Sequence, residues 1–202
     1  MNTDISIITV TGPMGSGKSK HIINIIEDTA TRQIYVPKID GTETDCIHSR
    51  DGRKVKAYGV YSIGDILNKL RADSIQEKII IVDEVQFFND YENVIKLVRY
   101  CIDNNNSIVF GGLDLDSECN LFLTTSMCMS LSTMVMKLQG TCECGRKTML
   151  SKFIGEKKHC NKGSEDTSTK HNDTNTSTKT QQILVGQDLY KGTCIHCHSK
   201  AR

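Results

Sequence analysis

The chain has no tryptophan, aromatics make up only 5% of its 202 residues, and no apolar stretch approaches the length of a membrane span. The runs Ile5 to Val10 and Ile79 to Val82 fall far short of the roughly 18 residues needed to cross a bilayer. No cationic segment followed by an apolar one opens the sequence, so neither secretion nor anchoring is expected and the reading is cytoplasmic. A dominant charge is missing too. Lys and Arg number 25 against 24 Asp and Glu, a net +1, which lacks the basic footprint of a nucleic-acid binder. The expected partners therefore include neither nucleic acid nor membrane. The length suits one main domain of about 150 residues with a small appendage.

Cysteine, by contrast, is plentiful. Nine of them in an unsecreted chain read as thiols or metal ligands, because the cytosol keeps thiols reduced. Cys46, Cys101, Cys119 and Cys128 are scattered, whereas Cys142, Cys144, Cys160, Cys194 and Cys197 crowd the last third.

The β-branched run Ile5 to Val10, closed by Gly12-Pro13, predicts a buried strand, and Ile22, Ile23, Ile25 and Ile26 predict a helix from Lys18. Gln33 to Val36 reads as a short strand. The polar stretch after it, with Gly41 and Asp51-Gly52, reads as a mobile loop in which Lys54 to Tyr58 forms half of a hairpin. Ser62 is placed to cap a helix bearing Ile63, Ile66, Leu67 and Leu70, which leads to a strand over Lys78 to Val82. A helix is expected over Tyr91 to Ile102 and a strand over Ser107 to Phe110. This alternation implies an α/β parallel sheet over residues 1–138. Residues 139–202 differ in character and read as a separate small module. Within it, Asn161 to Thr180 has no aliphatic or aromatic residue and is expected to be disordered.

Gly12-Pro13-Met14-Gly15-Ser16-Gly17-Lys18-Ser19 has the spacing of a phosphate-binding loop, and it lies between a predicted strand and a predicted helix. Each part answers a chemical need. Glycines let consecutive backbone N–H groups curl around phosphates, Lys18 supplies a charge at the outer phosphates, and Ser19 offers a hydroxyl to Mg²⁺. The strand over Ile79 to Val82 ends in Asp83-Glu84, where Asp83 is placed for the metal and Glu84 to accept a proton from an attacking hydroxyl or water. Alone, these two motifs leave ATPases, GTPases and small-molecule kinases open.

The surrounding residues narrow the field. Val10 to Ser19 followed by Asp83-Glu-Val-Gln-Phe-Phe88 resembles the type II, zinc-containing thymidine kinases. Ser49 to Ala57, Gly112 to Asp116, Val135 to Cys142, and Ile183 to Tyr190 before Cys194-Ile-His-Cys197 extend the likeness over nearly the whole chain except the polar insertion. The resemblance implies a P-loop NTPase-like sheet with helices on both faces, plus a C-terminal zinc-ribbon-like module with a lasso loop. It implies ATP and thymidine as substrates with Mg²⁺, dTTP as inhibitor, and a homotetramer. It carries the general-base role to Glu84 and places Gln86 with Asp83 in the nucleotide-binding set. It assigns Met14, Phe87, Phe122, Ser151 and Tyr190 to the nucleoside pocket, with the lasso backbone at Ile183, Leu184, Val185 and Gly186 on the base edge. Phe88 is expected in the core.

Two closely spaced cysteine pairs present four thiolates to one ion, and so small a module needs such a staple, so Cys142, Cys144, Cys194 and Cys197 are read as ligands of a structural zinc ion. The first pair has one intervening residue where the family has two, which leaves Cys160, His159, His196 and His198 as substitutes and free thiols as the alternative. Gly15 stands where the family's loop has Phe, and Ser117 where a pocket aromatic is common. Asp40-Gly41-Thr42 lacks the arginine of the family's Asp-x-Arg, with Arg50 and Arg53 as possible replacements. A hydrolase in which Glu84 activates water, and a relative that binds nucleotides with little turnover, are the alternative readings.

Overall fold

Parallel strands can be joined only by crossovers, and the alternation of apolar strands with amphipathic helices resolves into one such sheet. The computed structural model describes residues 5–39, 45–155 and 189–200. In chain order the elements are β1 (Ile7–Thr11), α1 (Lys18–Glu27), β2 (Arg32–Pro37), β3 (Cys46–His48), β4 (Lys54–Lys56), β5 (Tyr58–Val60) and α2 (Ile63–Ala72). Then follow β6 (Ile79–Val82), α3 (Val94–Asp103), β7 (Ser107–Gly112), α4 (Leu123–Leu131), β8 (Met134–Lys137), β9 (Leu150–Phe153), β10 (Tyr190–Thr193) and α5 (Ile195–Ser199).

The main sheet runs β5-β2-β6-β7-β1-β8, with every neighbouring pair parallel. Its strands move in one direction along the sheet through α2, α3 and α4, and in the other through α1 and the β3–β4 hairpin. Crossovers between parallel strands are right-handed, so these two groups must cover opposite faces. They do. One face buries Ile63, Ile66, Leu97, Val98 and Cys128 of the helices against Ile80, Val82, Ile108 and Phe110. The other buries Ile22, Ile23 and Ile26 of α1 and Ile47 of the hairpin against Val10, Ile34, Ile81 and Val109. Covering both faces allows the strands to be continuously apolar.

The predicted cap of α2 is present as a capping box, in which Asp65 N–H donates to Ser62 Oγ at 3.0 Å and Ser62 N–H donates back to Asp65 Oδ2 at 3.1 Å. The expected helix over Tyr91 to Ile102 begins as a 3₁₀ turn at Tyr91–Asn93 before the α-helix proper. The stretch expected to be a mobile loop with half a hairpin over Lys54 to Tyr58 does form an antiparallel hairpin, β3 on β4, in which Cys46, Ile47 and Ala57 are buried, while Tyr58 opens β5 instead. Of it, residues 40–44 lie outside the described set, as do 156–188 with Cys160, His159 and the polar insertion 161–180. Phe88 is core, 2% exposed. β9 and β10 pair antiparallel as a separate two-stranded sheet. Among the described residues no helix is long and apolar enough to cross a membrane.

Candidate functional site

The phosphate-loop sequence follows β1 and opens α1, and Asp83-Glu84 follows β6; in the sheet only β7 stands between those two strands. Both motifs therefore emerge at the carboxyl edge of the sheet, where open α/β folds place their ligands. Lys18 is buried, and its ammonium donates to the carbonyls of Gly12 at 3.0 Å and Pro13 at 3.2 Å. Burial pushes its pKa down, while Glu84, Asp83 and Asp114 pull it up and Arg50 adds to the depression. Ser16 Oγ is buried without a hydrogen-bond partner among the described residues. Such an orphan is costly unless a ligand supplies the missing bond, so the loop fits a phosphate oxygen. Ser19 lies half-buried in the first turn of α1, and Asp83 is the buried carboxylate of the second motif, a donor set suited to Mg²⁺ beside a polyphosphate.

Asp83 is 3% exposed. Burial, then the neighbouring Glu84, raises its pKa to about 7, against the opposing pull of the Glu84 N–H and Lys18. A folded-state pKa above the unfolded value means that the folded protein retains a proton which the unfolded chain has lost between about pH 4 and 7. This group thus destabilises the fold progressively as pH rises through that window. Asp83→Asn is expected to raise the melting temperature of the ligand-free protein at pH 8 by about 3–6 °C, from on the order of 1–2 kcal/mol, and to leave it unchanged at pH 4. Calorimetry at the two pH values checks this; an equal shift at both would assign the effect to packing.

Glu84 follows with φ 55°, in the left-handed region, at the entry to a 3₁₀ turn over Val85–Phe87. Its carboxylate accepts a hydrogen bond from Gln86 Nε2 at 2.5 Å, and Gln86 Oε1 accepts from Leu113 N–H at 3.1 Å. Gln86 is thus a buried strut between Glu84 and the end of β7. The sequence placed it in the nucleotide set; the structure shows contacts to Glu84 and Leu113. Asp114, two residues past β7, is buried and pairs with Lys137 at 2.6 Å.

Of the residues assigned to the nucleoside pocket, Met14 and Ser151 meet: Met14 N–H donates to Ser151 Oγ at 3.0 Å. Tyr190 lies on β10, its ring edge-on to Phe153 at 5.2 Å. Phe87 is half-buried in the 3₁₀ turn after β6, and Phe122 is half-buried at the entry to α4. Ile183, Leu184, Val185 and Gly186 lie outside the described residues. Sequence reading missed how closely β10 approaches the phosphate loop. A Cβ on Gly192 would lie 2.4 Å from Met14 O, so only glycine fits.

The Sγ atoms of Cys142, Cys144, Cys194 and Cys197 all lie within 4.8 Å of one another, with Cys144 and Cys194 3.5 Å apart. Tetrahedral thiolates at the Zn–S distance of about 2.3 Å would be about 3.8 Å apart, so the cluster can hold a zinc ion. The short first pair works because the chain turns tightly there, with Gly145 N–H on Cys142 O at 2.8 Å and Gly145 at φ 84°. Backbone N–H groups lower three of the thiols, from Cys144 to Cys142, from Arg146 to Cys144, and from Cys197 to Cys194. Hydrogen bonds to its sulfur neighbours, Cys144 first, push Cys197 up to about 12. His198 is engaged elsewhere, its ring nitrogen 3.0 Å from Ser117 O.

The family model described as "Thymidine kinase" matches residues 5–198. A thymidine kinase of Pseudothermotoga lettingae is 29% identical over 153 residues, spanning 72% of this chain and 80% of its own. Among solved structures, two variants of Thermotoga maritima RuvB superpose with TM-scores of 0.40 and 0.39 at 17% and 15% identity, each over 69% of this chain. The chain spans about two fifths of their length, 40% in both cases.

Proposed function

The chain belongs to the thymidine kinase family, and from that premise we propose that it transfers the γ-phosphoryl group of ATP to the 5′-hydroxyl of thymidine, giving dTMP and ADP for nucleotide salvage. The observation that supports this most is the meeting of Lys18, Asp83 and Glu84 at one edge of the sheet, in a chain that matches the family over residues 5–198. The loop amides and Lys18 hold the β- and γ-phosphates and stabilise charge that spreads over the transferring group. Ser19 and Asp83 would hold Mg²⁺, which neutralises phosphate charge when bound. Glu84 takes the proton of the 5′-hydroxyl as that oxygen attacks phosphorus, and Gln86 fixes the carboxylate in position. Met14, Phe87, Phe122, Ser151 and Tyr190, with the backbone from Ile183 to Gly186, form the nucleoside side of the site.

In this reading residues 1–138 carry the nucleotide and residues 139–202 carry zinc and the nucleoside loop. A homotetramer and inhibition by dTTP accompany it. ADP release by the purified protein with ATP and Mg²⁺, with and without thymidine and with dTMP followed in parallel, tests the proposal. Thymidine-dependent ADP matched by dTMP is the expected result. ADP without thymidine would make the protein a hydrolase, and no ADP would leave a nucleotide-binding relative.

A further inference from the structure

Residues 49–53 form a turn at the tip of the β3–β4 hairpin. Gly52 N–H donates to Ser49 O at 3.0 Å, and Ser49 N–H donates to Arg53 O at 3.0 Å. The Asp51 carboxyl bridges the turn, held well below the usual carboxylate range by the Ser49 hydroxyl and by Arg53. Arg53 also ties the turn to α1. Its guanidinium donates to Asn24 Oδ1 at 2.9 Å and to Glu27 Oε2 at 3.0 Å, as well as to Asp51. Every face of that guanidinium is thus committed to structure, and Arg53 has no hydrogen bond left for a substrate.

Arg50 differs. The turn projects it at the phosphate loop, where a Cβ on Gly15 would lie 2.8 Å from Arg50 Nη1 and 3.6 Å from its Cζ. The guanidinium therefore occupies the space that any side chain at position 15 would need. Gly15 also has φ 73°, so glycine serves both the loop and its neighbour. Arg50 is exposed, makes no ion pair within the described residues, and acts on the Lys18 ammonium as a repelling charge. Two cations brought together at the phosphate loop, Arg50 without an ion pair among the described residues, are complementary to a polyanion.

We infer that Arg50 is a catalytic residue which hydrogen-bonds the non-bridging oxygens of the outer ATP phosphates, and that Gly15 is the opening that admits it. The inference rests on the kinase reading. Arg50 moves no proton. As the bond between the 5′-oxygen and the γ-phosphorus forms, the bond from that phosphorus to the β,γ-bridging oxygen breaks, the hydroxyl proton passes to Glu84, and ADP carries away the electron pair. Arg50 and Lys18 stabilise the charge that grows on the oxygens around phosphorus. Arginine suits this role better than lysine because its planar fork offers two parallel donors to one phosphoryl group.

The test compares wild type, Arg50→Ala and Arg50→Lys in steady-state dTMP formation and in calorimetric binding of ATP and ADP with Mg²⁺. Arg50→Ala is expected to lower kcat on the order of a hundredfold with the thymidine KM unchanged, and Arg50→Lys to recover part of the loss. The ratio of ATP to ADP affinity should fall about tenfold in Arg50→Ala. A kcat within about threefold of wild type, or an equal loss for the Lys and Ala variants with the ATP-to-ADP ratio unmoved, would overturn the assignment. If wild type fails to phosphorylate thymidine, the kinase reading fails by itself. The binding arm then decides for Arg50: a tenfold fall in the ratio, about the size of one charge-assisted contact, supports it, and an unchanged ratio removes it.

Discussion

Glu84→Gln is expected to lower thymidine phosphorylation about a thousandfold while leaving Mg²⁺-dependent ATP affinity within about twofold. The exchange is nearly isosteric, so the left-handed backbone at φ 55° and the short turn that follows need not change. The amide oxygen of a glutamine at position 84 can still accept from Gln86 Nε2, so Gln86 keeps its orientation and its Oε1 stays on Leu113 N–H. What is lost is the ability to take a proton. In the proposed reaction the loop and Lys18 grip the nucleotide and Glu84 acts on Lys18 only through its field, so binding and chemistry are expected to separate in this variant. Comparison of kcat with ATP affinity measures that separation. Retained turnover would move the base elsewhere, whereas a parallel loss of ATP binding would give Glu84 a role in holding charge.

The same residues mark where the sequence was legible. The placement of Gly12 to Ser19 between β1 and α1, and of Asp83-Glu84 at the end of β6, was legible because the isoleucine-rich runs of β1 and β6 left little choice of local structure. Helix α4 was not read. Its sequence, Leu123 to Leu131, has no charged face, and its buried positions are Thr124, Thr125 and Cys128, so no apolar stripe announces it. Thr124 is accommodated by donating to Phe88 O, a contact 36 residues away in sequence. Strand β8 is mostly exposed and is held by pairing with β1, again a long-range fact. The choice between Arg50 and Arg53 was equally closed to sequence, since both lie in one turn and only the partners in α1 distinguish them. The register of β10 against the phosphate loop, with Gly192 on Met14 O, depends on two segments far apart in the chain meeting through the cysteine cluster.

That meeting gives the cluster an effect beyond its own module. Cys194→Ser is expected to abolish stoichiometric zinc, to lower the melting temperature by about 5–10 °C, and to weaken ATP binding about tenfold. Cys194 is buried and follows directly on β10, so freeing it releases the strand whose Gly192 abuts Met14 O. β9 is paired to β10, and its Ser151 hydroxyl accepts the Met14 N–H, so the same loss loosens a second contact on the loop. Without the ion, four sulfurs within 4.8 Å of one another would have to share the site as thiols and thiolates, with hydrogen bonds from the neighbouring sulfurs holding the Cys197 proton more firmly than in a free thiol. Cys119→Ser, an exposed position outside the cluster, is the control and should change neither metal content nor melting. Elemental analysis, melting and ATP calorimetry on the three proteins decide the matter. A wild-type protein without zinc would return the cluster to free thiols. Lost zinc with ATP affinity intact would show that the phosphate loop holds its shape without the strands that lean on it.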